Sequence, residues 1–143
     1  METLTDTFLE EQLEKNVKDP YQKAIDILDY VSDHGKTIEN ENKLLTDGPS
    51  KKGKLDFEIK EKLDNTTKFI IRFKILTKEP ENSLSLKAHA KLIKKNYSKE
   101  DGKGRAIFSE YHSKNILPKH KRMSKKRAQR VIKGLNKLLK RWS

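Results

Sequence analysis

The sequence predicts a mostly α-helical small domain, with a β-hairpin over residues 55–76 and a basic amphipathic helix at its C-terminal end. Three observations lead there. Apolar side chains recur at steps of three and four residues near the N-terminus and again past residue 124. Pro20 and Gly35 bracket one such run as helix punctuation. The third is charge: Tyr111 to Ser143 carry twelve Lys and Arg and no Asp or Glu, which matches the net charge of +12 of the whole chain. Residues 1–64, by contrast, hold 10 basic against 16 acidic side chains. The chain therefore divides into an acidic-to-neutral, mainly helical domain over 1–110 and a basic, nucleic-acid-binding tail or helix over 111–143.

The elements follow in order. Leu4, Phe8, Leu9, Leu13 and Val17 share one helical face, with Thr3 and Asp6 as a capping pair, so a first helix is expected from about Thr5 to Lys18. Asp19 offers an N-cap oxygen, and Pro20 suits the first helical position, where its missing N–H is no loss. Tyr21, Ala24, Ile25, Leu28 and Val31 then line the second helix, which Gly35 stops. Residues 36–54 are polar apart from Ile38, Leu44 and Leu45 and contain the turn signal Asp47-Gly48-Pro49, which reads as a loop with one short helix.

Beyond it Leu55, Phe57 and Ile59 alternate with charged residues, as do Phe69, Ile71, Phe73 and Ile75 with Ile70, Arg72 and Lys74. Period two with aromatic and β-branched residues is strand chemistry. Leu55, Ile59, Leu63, Thr66, Ile70 and Phe73 also satisfy a helix, and periodicity leaves both readings open. Glu79 to Asn82 close that element. Leu84, Leu86, Ala88, Ala90, Leu92 and Ile93 predict a further helix up to Tyr97, and Asp101 to Gly104 mark a break.

Only 33% of the chain is apolar while 38% is charged, which predicts a small core and some segments that order only on binding. The absence of Cys excludes disulfides and thiolate chemistry. Met1 to Glu14 is acidic and resembles neither a secretory signal nor a transit peptide, and no apolar run reaches membrane-spanning length. The expected location is intracellular, and nuclear or nucleolar in a nucleated cell, since Lys119–Arg122 and Lys125–Arg127 form a two-cluster import signal.

At the basic end Ala128, Val131, Ile132, Leu135, Leu138, Leu139 and Trp142 stack on one helical face, with Lys and Arg opposite. Lys125, Lys126 and Arg127 fall in the expected first turn, where the macrodipole is positive and each cation costs about a few tenths of a kcal/mol. A bound phosphate would reverse that cost. The expected ligand is nucleic acid, through Lys119, Lys121, Arg122, Lys125, Lys126, Arg127, Arg130, Lys133, Lys137, Lys140 and Arg141. RNA is favoured over DNA because Tyr97, Phe108, Tyr111 and Trp142 lie among the cations and can stack on unpaired bases. A ribonucleoprotein accessory or assembly factor is the first reading and a DNA-binding chromatin or transcription accessory protein the second; a membrane-surface or calmodulin-type ligand ranks behind both. The acidic N-terminal helices would pack the core or bind a basic protein partner.

Enzymatic chemistry has one candidate. Asp47 followed by Glu58-Ile59-Lys60 resembles the core pattern of the PD-(D/E)xK nucleases, and the resemblance implies a divalent metal between the carboxylates and Lys60 orienting the attacking water. The reading favours a non-enzymatic protein, with no catalytic, metal or cofactor site. The Asp47–Glu58 window also has the length of a calcium-binding EF-hand loop, but Lys51 and Lys52 stand where an oxygen ligand and the turn Gly belong. The four His residues show no metal-ligand spacing.

Overall fold

A computed structural model describes residues 2–96, 99–100, 106–107 and 116–142. The chain runs β1 (Glu2–Asn16), α1 (Pro20–Ser32), β2 (Thr37–Asp47), β3 (Ser50–Lys62), β4 (Thr67–Glu79), β5 (Ser83–Asn96), two short paired strands β6 (Lys99–Glu100) and β7 (Ala106–Ile107), and α2 (Pro118–Lys140). β1 to β5 form one antiparallel sheet in the order β1-β5-β4-β3-β2. The fold is thus mostly β, which corrects the mostly α class expected from the sequence. The helices expected over 5–18 and 84–97 are replaced by strands, β1 up to Asn16 and β5 up to Asn96, with Tyr97 outside the described residues, and the expected loop over 36–54 contains strand β2.

The sheet has one apolar face, because the inward positions of adjacent strands coincide in register. Phe57 lies opposite Phe73 and Ile59 opposite Ile71, while Phe73 and Ile71 lie opposite Ala88 and Ala90. All six are at most 3% exposed, and the Phe57 and Phe73 rings stack at 5.2 Å between centroids. Both helices cover this face. Ala24, Ile27, Leu28 and Val31 of α1 and Ala128, Val131, Ile132, Leu135 and Leu139 of α2 join the strand residues in one cluster. Burial of each such side chain contributes on the order of 1.5–3 kcal/mol for the larger residues, so α2 completes the core.

Two glycines set how closely the layers approach. Gly53 of β3 leaves room for the Tyr21 ring, and Gly134 of α2 lies against the Tyr30 hydroxyl, which donates to the Val131 carbonyl at 2.9 Å. α1 begins at Pro20 as expected, but Asp19 sits at φ 50 and makes no side-chain cap bond, so its predicted capping role is not fulfilled. Gly48, at φ 56, supplies the left-handed first residue of the two-residue turn joining β2 to β3, with Asp47 and Ser50 as the closing pair.

Neither α1 nor α2 lies on the opposite face of the sheet. Lys54, Asp56, Glu58 and Lys60 of β3, Arg72, Lys74, Leu76 and Lys78 of β4, and Ser85, Lys87, His89 and Lys91 of β5 alternate with the core residues and point to that side.

Candidate nucleic-acid interface

α2 starts at Pro118, ahead of the first turn expected at Lys125 to Arg127. Leu117 has ψ 135, as steric conflict with a following proline requires, and Pro118 takes the first helical turn. Lys125, Lys126 and Arg127 therefore lie well inside the helix, and the cations opposing the macrodipole are Lys119 and Lys121. No acidic side chain occupies that first turn and no side chain caps it. At the other end Lys137 and Lys140 favour the negative pole, and Lys15 of β1 donates to the Leu139 carbonyl at 2.6 Å.

Docking divides the helix in two. Ser124, Ala128, Val131, Ile132, Leu135 and Leu139 are buried, whereas Lys119, Arg122, Lys126, Arg130, Lys133, Lys137 and Lys140 are all exposed. Those seven recur at steps of three and four, so they form one continuous stripe on the solvent side. At 1.5 Å per residue the stripe is about 32 Å long. None of the seven is ion-paired with an acidic side chain among the described residues. Lys121 and Lys125 flank it and, with Arg122, Pro118, Asp6 and Phe8, line an open groove of about 470 Å³ between β1 and the start of α2.

Arg127 is the exception among the eleven cations expected to bind nucleic acid. It turns inward, pairs with Glu61, donates to the His34 carbonyl at 3.2 Å, and lies 5.5 Å from the centre of the Phe69 ring. Burial, and then the neighbouring charge of Arg130, pull its pKa below the usual arginine value. Its geometry fastens α2 to β3 and β4. His120 is likewise turned to the β3–β4 hairpin, 3.6 Å from the Asp64 carboxylate. That carboxylate accepts from the Thr66 and Thr67 backbone N–H groups at 2.8 and 2.7 Å. Burial pushes Asp64 up, but the bonds from Thr66 and Thr67 together hold it below the ordinary carboxylate value.

Of the aromatics expected to stack on bases, Tyr97, Phe108 and Tyr111 lie outside the described residues. Trp142 is half-buried against the core, and the Lys23 ammonium lies 5.4 Å from its ring centre. Trp142 therefore has an intramolecular role on α1.

The nuclease-like residues are not assembled. Asp47 pairs with Ser50 at one end of β3, and Glu58 and Lys60 sit toward the other, so the two carboxylates are separated by about 27 Å of strand. A shared metal would require them within a few ångströms of one another. Among the described residues no group of three His, Asp or Glu could hold a metal ion. Glu58 instead belongs to a cross-strand row, Glu58–Arg72–His89–Glu10, beside the Asp56–Arg72 pair with its bonds of 3.0 and 2.7 Å. The Arg72 bond, against burial, holds Asp56 below the ordinary carboxylate value. Burial first, then Lys91 and Arg72, push His89 below 6.5.

No helix among the described residues is long and apolar enough to cross a membrane. No protein-family model, curated protein or solved structure matches the chain.

Proposed function

We propose that the protein is a non-enzymatic nucleic-acid-binding accessory or assembly factor that grips a sugar-phosphate backbone, RNA in preference to DNA, with the solvent face of α2. The observation that carries this reading is the stripe from Lys119 to Lys140, seven exposed cations on a helix with no acidic residue. Membrane or calmodulin-type binding needs the apolar face, but Val131, Leu135 and Leu139 are at most 4% exposed in the core. A ridge of cations suits phosphates near a surface, as on the wide, shallow minor groove of A-form RNA. The acidic residues Glu10, Glu11 and Glu14 of β1 and Asp29 and Asp33 of the α1 end are left for a basic protein partner.

The test is fluorescence anisotropy with single-stranded RNA, duplex RNA and duplex DNA over a range of salt. Joint reversal of Arg122, Lys126, Lys133 and Lys137 to Glu is expected to weaken binding about 10- to 100-fold at 0.1 M salt, equally on unrelated sequences. Unchanged affinity on all three ligands refutes the reading, and tighter binding to duplex DNA than to either RNA favours the chromatin or transcription alternative.

A further inference from the structure

We propose that the sheet face turned away from both helices is a second phosphate-binding surface, so that the protein holds one RNA segment there and another on α2. The α2 half of this inference rests on the function proposed above; the sheet half rests on its own register. Lys52 lies directly opposite Lys78, Lys62 opposite Lys68, and Lys74 opposite Lys87. Directly opposed side chains on one face of an antiparallel pair have Cβ atoms about 4.5–5.5 Å apart, and like charges there oppose pairing. Elsewhere on this face the repulsion is neutralised: Lys43 lies opposite Lys54, but both reach Glu41, at 3.3 and 3.2 Å. The three lysine pairs have no such bridge to an acidic side chain among the described residues. Two of these repulsions, Lys52–Lys78 and Lys62–Lys68, have no acidic side chain directly opposite, while Asp56, bonded to Arg72, faces Lys74 and offsets the third in part. What remains works against folding, and an external anion removes it.

The surroundings fit a phosphate backbone better than a protein core. Lys52, Lys74, Lys78 and Lys87 are exposed, and Ser83 and Ser85 stand beside Lys78 and Leu76 with hydroxyls that can donate to phosphate oxygens. Leu76, half exposed, is the one large apolar side chain in their midst. The acidic edge strand argues for two segments rather than one wrapped strand. A nucleic acid passing from α2 to the open face around β1 would meet Asp6, Glu10, Glu11 and Glu14. Like charge rejects that path.

Bridging is read with the full-length protein and two short RNAs, one carrying a donor and one an acceptor dye, while titration gives the stoichiometry. The expected result is energy transfer at sub-saturating protein and two RNAs bound per chain. The double variant Lys52→Glu, Lys87→Glu turns two repulsive pairs into attractive ones without setting a carboxylate opposite Asp56, which faces Lys74. Its thermal midpoint should rise while transfer is lost and the stoichiometry falls to one, a combination that a purely structural role for these lysines would not give. A lower midpoint, undiminished transfer, or one RNA per wild-type chain overturns the proposal. Displacement of poly-glutamate rather than RNA by the same double variant assigns the face to an acidic protein and also overturns it. The α2 quadruple reversal keeps the two ideas apart: if it leaves RNA affinity unchanged the α2 reading fails, and any binding that the lysine variant then abolishes belongs to the sheet.

Discussion

At the scale of single residues, close approach and charge environment give opposite signs to what composition suggests. A glycine inside a helix normally gains about 1 kcal/mol on replacement by alanine. Gly134 should behave otherwise, because an added Cβ would overlap the Tyr30 hydroxyl that donates to Val131. Gly134→Ala is expected to destabilise by about 1–3 kcal/mol in urea unfolding, and Tyr30→Phe in the same chain should recover part of the loss. His89 gives a pH dependence. Its pKa is held below 6.5 by burial, Lys91, Arg72 and Lys74, against Glu10, so the unfolded chain takes up a proton there before the folded one does. That contribution to stability is complete above pH 6.5 and is lost as pH falls through the depressed value. His89→Gln should therefore flatten the decline in urea midpoint between neutral pH and about pH 5. Asp56 and Asp64, held below 3.8, act in the same direction but only in stronger acid, as pH drops beneath the ordinary carboxylate value.

At the scale of elements, α2 is both a wall of the core and a carrier of cations, and these roles separate by face. Leu135→Asp, at a position 1% exposed, is expected to cost about 3–5 kcal/mol, and removal of residues 118–143 should leave a chain without cooperative unfolding by circular dichroism. Arg122→Glu on the opposite face should leave stability within about 0.5 kcal/mol. The same logic of faces explains which elements could be read from sequence. α1 was legible because Pro20 and its 3.6-residue stripe agree, and the 55–76 hairpin because both of its strands bury alternate residues. β1 misleads because its inward positions include Asp6, Glu11 and Lys15, which an edge strand tolerates, and because a bulge between Thr7 and Leu9 shifts the alternation. The apolar residues that remain, Leu4, Phe8, Leu9 and Leu13, fall at helical spacing. β2 gave no strand signal because none of its residues is buried, and backbone pairing with β3 alone defines it. In β5 the period of two from Leu84 to Leu92 was present, but Ala88 and Ala90 favour helix intrinsically. They occupy strand positions opposite Phe73 and Ile71, on the face to which both helices pack. The cations of α2 were legible as a group, while the inward turn of Arg127 and the lysines of the open sheet face depended on register.

At the scale of the whole molecule, a net charge of +12 on one small fold means self-repulsion that counter-ions relieve. Raising salt from 20 to about 300 mM should increase the thermal midpoint of the free protein, and RNA at saturating concentration should increase it further by mass action. The RNA increment should itself shrink with salt, because the same ions compete for the phosphates. A midpoint independent of both salt and RNA would contradict both the self-repulsion and the RNA binding. The order of the sheet also bears on how the chain reaches its native state. β2 to β5 follow one another as a meander and pair through short turns, but β1 must find β5, with Glu2 opposite Asn96 and Asn16 opposite Ser83. Closing so long a loop carries an entropy cost before any contact compensates it. Folding speed should accordingly be governed by the arrival of β1 at β5, with mutations in that seam slowing folding and mutations in β2 chiefly speeding unfolding. Lys15, next to the end of β1, donates to the last turn of α2 and so ties the first strand to the basic helix. During translation β1 emerges before α2, so this tie between the first strand and the basic helix closes only once the helix has been made.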